Sequence, residues 1–229
     1  MCGRFASTAS LPELGTLFSA STPTRTVEPS YNVAPSGEVY AIAAQRESKG
    51  HFVQVMRWGL RPNWSQPTPK AQIIINARLE TVDEKPMFAE AFIHRRCIIP
   101  ADGFYEWKGS GEKNKRRPMY IYRPDGGLLF MAGAWERSRI DDTLSFVILT
   151  TKANSFMSNI HHRMPVTLSE AACDEWLSHE NFDAQRLKEL GVSESDNALG
   201  AHYVDPKVGN PRQQGVDLTA PVPAGTLWE

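Results

Sequence analysis

The sequence is short of cysteine, of net charge and of long apolar runs, and each shortage narrows what it can be. Its three cysteines, Cys2, Cys97 and Cys173, are far apart and form no C-x-x-C pair. That excludes a disulfide framework and a cysteine-based zinc site. The adjacent His161 and His162 lack the i,i+4 spacing of a helical metal motif, so no metal and no small-molecule cofactor is expected. Basic and acidic residues nearly cancel, 25 against 26, leaving a net charge of −1. With no global basic field, an anionic polymer would have to meet a local groove. No apolar run approaches the length of a membrane span. Phe5 is soon followed by Ser7, Thr8 and Ser10, which is no secretory leader. The expected setting is the cytoplasm, nucleoid-associated in a bacterium, with no membrane partner.

Aromatics, by contrast, are plentiful, with six tryptophans and ten phenylalanines. Ser10, with Glu13 three positions on and apolar residues at helical spacing, predicts a helix over 10–18. Residues 19–37 read as a loop. Strands are expected at 39–43, 54–58, 73–78, 96–100, 104–108, 119–123, 128–135 and 145–151. Pro124-Asp125-Gly126-Gly127 predicts a hairpin turn joining the sixth and seventh of these. Helices are expected at 86–92, 169–178 and 183–190, the last with Gly191 as its C-cap. The Gly- and Pro-containing tail from Tyr203 would be ordered only by docking. No repeat or linker divides the chain. The expectation is an α+β fold: a mostly-β single domain over 1–229, with a barrel-like core of short strands and peripheral helices.

The chemistry concentrates in a few places. If Met1 is trimmed, Cys2 carries an α-amine and a thiol on adjacent carbons, with pKa values near about 7.7–8.0 and about 8.5. Such an aminothiol can act as an N-terminal nucleophile or condense with an aldehyde to a thiazolidine. Arg4 sets a fixed positive charge nearby. The plainer reading of Cys2 alone is a buried small hydrophobe. Glu106, among Phe104, Tyr105 and Trp107, could be a poorly solvated general acid or a solvent-facing strand residue. One of His161 and His162 could shuttle protons; because consecutive side chains diverge, only one should face Cys2. Asn76 and Arg78 end a strand as an orienting group and a phosphate ligand, or as a cap and a surface ion pair. Trp58, Trp64 and Trp107 offer stacking faces for unpaired bases, although at least one belongs in the core. The basic stretch Lys113, Lys115, Arg116 and Arg117 reads as a solvated face.

Taken together, Met1-Cys2-Gly3-Arg4-Phe5, Tyr31-Asn32-Val33-Ala34-Pro35, Trp58-Gly59-Leu60, Ile75-Asn76-Ala77-Arg78-Leu79-Glu80-Thr81, the stretch from Cys97 to Trp107 and Ile160-His161-His162-Arg163-Met164-Pro165 resemble the SOS-response-associated peptidase (SRAP) family. The resemblance runs from Met1 to about Leu218. It implies a protein that removes its own Met1 and crosslinks covalently to abasic sites in single-stranded DNA. By matching position, Cys2 would bond the sugar, Asn76 orient the new N-terminus, Glu106 act as acid and base, and His161 assist proton transfer. Arg78 and Arg163 match DNA-contacting arginines, and Arg4 joins them. A monomer without cofactor is expected. His162 stands where the family usually has Asp, so activity should fall in mild acid more than in a His162→Asp variant. Residues 216–229 match no motif. Two rivals remain: an N-terminal-cysteine amidohydrolase such as a glutaminase, and a noncovalent single-strand binding module.

Overall fold

A computed structural model describes residues 2–44, 50–60, 73–109, 116–191 and 198–223. The elements in chain order are β1 (Phe5–Ser7), α1 (Leu11–Leu17), β2 (Ala20–Ser21), β3 (Ser30–Val33), β4 (Glu38–Ala44), β5 (His51–Trp58), β6 (Asn76–Arg78), α2 (Ala89–His94), β7 (Arg96–Ala101), β8 (Gly103–Gly109), β9 (Arg116–Tyr122), β10 (Leu129–Arg137), β11 (Leu144–Lys152), α3 (Ser155–Ser158), β12 (Arg163–Pro165), β13 (Thr167–Leu168), α4 (Glu170–Leu177), α5 (Ala184–Leu190) and β14 (Gly200–Tyr203). The larger sheet runs β12-β11-β10-β7-β4-β5-β2, with β6 and β13 added at its margins. A parallel pairing of β5 with β11, Ser145 opposite Arg57, closes β11-β10-β7-β4-β5 into a ring. The smaller sheet runs β14-β9-β8-β1-β3. This is the expected mostly-β α+β architecture with a barrel-like core, its ring uneven rather than symmetric.

Strand alternation divides the core. Ile42, Val53, Val55, Ile98, Val147 and Leu149 pack against Leu14, Phe92, Trp176 and Leu187 of the helices. Their neighbours Ala41, Met56, Trp58, Ile99, Phe146 and Ile148 pack against Phe5, Phe104, Met119 and Ile121 of the smaller sheet. Strand β11 uses both edges. One pairs with β10 and then β12, the other with β5 and then β6.

Local signals were followed where the cause is local. Ser10 caps α1 with Glu13 completing a capping box, and Asp183 caps α5. Three expectations need correction. The turn at 124–127 forms, with the Gly126 N–H donating to Arg123 O at 3.0 Å, but it joins no hairpin. Strand β9 pairs with β8 and β14, whereas β10 pairs with β7, β11 and β13. The turn residues set the local bend, and each strand then pairs in the sheet its apolar face can bury against. Residues 30–33, read as loop, are a strand because β1 pairs there, Phe5 opposite Val33. Gly191 is the C-cap of α5, as expected, at φ −79 rather than in the left-handed region. Glycine is required there for space, since a Cβ would lie 2.8 Å from Val166 Cγ1. Trp58 offers no stacking face: it is fully buried, edge-on to Phe5 at 5.0 Å, and its Nε1–H donates to Ile75 O at 3.0 Å.

Candidate active site

Cys2 precedes β1, which pairs with both β3 and β8, so the start of the chain lies in the seam between the two sheets. Its side chain is completely buried among Phe5, Trp58 and their neighbours. Burial pushes the thiol pKa upward, and the negative charge of Glu106 pushes it further the same way. Asn76 arrives from β6, which runs parallel to β11 with Asn76 opposite Ile148. Its Nδ2–H donates to the Cys2 carbonyl at 2.7 Å. Its Oδ1 is buried and accepts no hydrogen bond among the described residues.

Glu106 lies on β8 and is only 4% exposed. Alternation puts it on the face of Phe104, towards Cys2, and Tyr105 and Trp107 on the other. Trp107 is therefore half-buried against the cluster of Tyr105, Val204 and Val208, and the structure does not bring it beside Glu106.

His161 follows α3, whose N-terminus is capped by Asn154. The His161 N–H donates to Met157 O at 2.8 Å. The Arg163 N–H donates to His161 Nδ1 at 3.0 Å. The Arg163 carbonyl O lies 3.1 Å from the same Nδ1, so Nδ1 accepts from the Arg163 N–H in one tautomer and donates to the Arg163 carbonyl in the other. Burial lowers the pKa of His161, the charge of Glu106 opposes that shift, and His162 adds to it. The two histidine side chains do not diverge as expected. Their rings stack with centroids 4.3 Å apart and planes 28° apart. They lie between α3 and β12, outside helix and strand, where neither period governs direction.

The arginines separate. Arg78 is exposed at the end of β6, and its guanidinium makes no hydrogen bond or ion pair among the described residues. Arg163 is buried and already paired: its guanidinium donates to both Glu80 oxygens, at 2.7 and 2.9 Å, and to Thr150 O. Arg4 donates to Asn32 Oδ1 at 2.9 Å, Val208 O at 3.1 Å and Gly209 O at 3.4 Å. Neither guanidinium stands open for a phosphate. Trp64, Lys113 and Lys115 lie outside the described residues, as does Met1. Asn32 and Glu80 were missed as site-supporting residues, although both lie inside blocks quoted for the resemblance. Cys97 and Cys173 are both buried away in the core, and burial pushes the Cys173 thiol up to about 12.

Comparison with known proteins identifies the family. The chain is 35% identical over 223 residues to the abasic site processing protein YoaM of Bacillus subtilis, covering 95% of this chain and 97% of that one. It is 37% identical over 196 residues to the abasic site processing protein YedK of Escherichia coli, covering 84% of each. It is 31% identical to the abasic site processing protein HMCES of Pongo abelii, over 85% of this chain and 65% of that longer one. A crystal structure of a Bacteroides thetaiotaomicron protein shares the fold, with a TM-score of 0.83 over 96% of this chain and all of that one, at 24% identity. The family described as SOS response associated peptidase (SRAP) matches residues 1–211, and with that span and these relatives the chain belongs to the SRAP family.

Proposed function

We propose that this protein processes abasic sites in single-stranded DNA by forming a thiazolidine between Cys2 and the abasic sugar, after removing Met1. The observation that carries the reading is the Asn76 amide. Its Nδ2 holds the Cys2 carbonyl while its buried Oδ1 is left without a partner among the described residues. A buried unpaired acceptor is costly. An α-amine freed at Cys2 by hydrolysis of the Met1–Cys2 bond would supply the missing donor.

The chemistry then balances without redox change. Glu106 protonates the ring oxygen of the closed sugar and exposes the C1′ aldehyde. The Cys2 amine adds to C1′ and water leaves, giving an imine. The thiol adds across the C=N bond, sulfur to carbon and proton to nitrogen, through a tethered five-membered closure with the advantage of proximity. Ring closure removes the imine that would promote strand cleavage by β-elimination. His161 relays protons between Glu106 and the leaving water. Arg78 contributes a phosphate contact at the exposed edge of the site.

The test is denaturing electrophoresis of the protein with an abasic oligonucleotide, followed by peptide mass spectrometry. The expected product survives denaturation, lacks Met1, and has the mass of Cys2 peptide plus DNA minus one water. A complex lost on denaturation would leave a noncovalent binder. Ammonia release from glutamine would point instead to the amidohydrolase.

A further inference from the structure

Cys2, Gly3 and Arg4 belong to no strand. The β8 ladder reaches only to Arg4, whose carbonyl accepts from the Tyr105 N–H at 2.9 Å, so Cys2 itself needs further support. The contacts of Arg4 and Asn32 supply it. Arg4 directs its guanidinium to Asn32 Oδ1 and to the carbonyls of Val208 and Gly209. Asn32, 2% exposed, donates from Nδ2 to Asn210 O at 3.0 Å and Gln213 O at 2.9 Å. Its own carbonyl accepts from Gln214 Nε2 at 3.3 Å, and Gln214 Oε1 accepts from Ser30 Oγ at 3.1 Å. One buried amide thus joins the first residues of the chain to residues 208–214. That stretch is pinned in turn, because Val208 and Leu218 pack with Tyr105 and Tyr120 on the outer face of the smaller sheet. Tyr105 Oη also donates to Tyr31 O at 2.7 Å, beside Asn32.

We propose that residues 205–219 form a strap that positions Cys2 through Arg4 and Asn32, and that Arg4 is a positioning residue rather than a phosphate ligand. This inference deepens the proposed function and rests on it. The physical argument is one of geometry and commitment. Arg4 is two residues from the nucleophile, and a planar fork bound to three acceptors fixes the backbone that carries it. Both hydrogens of Nη1 and one of Nη2 are then engaged with protein oxygens and Nε is buried, which leaves little for DNA. Misplacing a reacting group by about 1 Å can cost on the order of 10²-fold in rate, so a loosened strap should slow chemistry without weakening encounter.

Three substitutions test it. Arg4→Lys keeps the charge but cannot reach all three acceptors. Asn32→Ala removes the hub. Gly215→Ala acts within the strap and away from Cys2: Gly215 has φ +126, and a Cβ there would meet Asp217 Oδ1 at 2.5 Å. For each variant, affinity for undamaged single strands is measured across a salt series. Crosslinking is timed at saturating abasic oligonucleotide, and borohydride trapping reports the share of product still at the imine. The expected result is unchanged affinity and salt slope, about tenfold or greater slowing at saturation, and more trappable imine, because amine attack tolerates misplacement better than ring closure does. The Arg4→Lys, Asn32→Ala double variant should be no slower than the slower single one, as for residues acting as a unit. Alkylation of Cys2 by a maleimide reads the strap without DNA and should quicken in all three. Loss of affinity and salt slope with normal rates at saturation would make Arg4 a DNA contact and overturn the proposal. So would unchanged alkylation and crosslinking in Asn32→Ala and Gly215→Ala. A wild type that forms no crosslink would instead remove the proposed function, while the alkylation result would still judge the strap; Gly215→Ala serves if Asn32→Ala fails to fold.

Discussion

The two banks of the site are built by different means. On one bank, Asn76 and Arg163 sit on short strands hydrogen-bonded to β11, with His161 just before the second of them. On the other, Cys2 lies outside any strand and is held by side chains: Asn76 on its carbonyl, and the Arg4–Asn32 bracket beyond. Asn76 and Arg163 are therefore set by backbone ladders, which are cooperative. Cys2 is set largely by bonds that can be cut singly. In the proposed mechanism Cys2 is first released from Met1, and the second kind of attachment suits that.

The comparison breaks most completely at Cys2 itself. Cys2→Ala, or an uncleavable N-terminal extension that turns the amine into an amide, should abolish the crosslink, whereas Cys97→Ala and Cys173→Ala should keep it on a denaturing gel. An extended protein that crosslinks at the normal rate would end the thiazolidine mechanism. Next comes Glu106→Gln, which preserves shape on a well-laddered strand but cannot cycle a proton. Crosslinking should slow by about 10²–10⁴-fold, while anisotropy with an undamaged oligonucleotide shows affinity within about twofold. Loss of both together would make Glu106 structural.

The ladder bank has its own weak point in the Arg163–Glu80 pair. Glu80→Ala leaves a buried guanidinium without its carboxylate, and because Glu80 is partly exposed the cost should be about 1–3 kcal/mol in urea unfolding. No change in the midpoint would mean that Thr150 and solvent suffice.

A smaller effect concerns pH. The folded-state pKa of His161 is lowered by burial and by the stacked His162, with Glu106 opposing. Between the ordinary histidine value of about 6.5 and that lowered value, the unfolded chain binds the proton more readily. Stability from this group is therefore present above about pH 6.5 and is lost as pH falls through that window. His162→Asp replaces a ring that lowers the His161 pKa with an anion that raises it. The acid limb of the crosslinking rate should then move to higher pH in the variant, which reverses the order expected from sequence. An acid limb at lower pH in His162→Asp would show that protonation of His162 itself sets the limb. The smallest effect is at the surface. Arg78→Ala should flatten the log-affinity against log-salt slope by about 0.7 for a single strand, and Arg4→Lys should leave it unchanged.

What could be read from the sequence follows the range of the interaction responsible. The Ser10–Glu13 capping box, the Asp125–Gly126 turn and the alternation of β4 and β5 depend on neighbours along the chain, and they were legible. Sheet membership was not: the same turn serves a hairpin or a crossing between sheets, and only distant burial partners decide. The site residues Cys2, Asn76, Glu106 and His161 came from a resemblance of spaced blocks, not from local pattern. Arg4 and Arg163 show a related limit. A guanidinium has one appearance in sequence whether it awaits a phosphate or already holds Asn32 or Glu80. Trp58 likewise reads as an aromatic face until Phe5 and Ile75 are placed on it.

The double occupation of β11 has a kinetic consequence. Its amides are engaged on one edge by β10 and β12 and on the other by β5 and β6, so those within the ladders exchange with solvent only when the ring itself opens. These amides should be the last in the molecule to take up deuterium. Asn76 and Arg163 are moored to opposite edges of that strand, so their relative position should survive every sub-global fluctuation and vanish only with the native state.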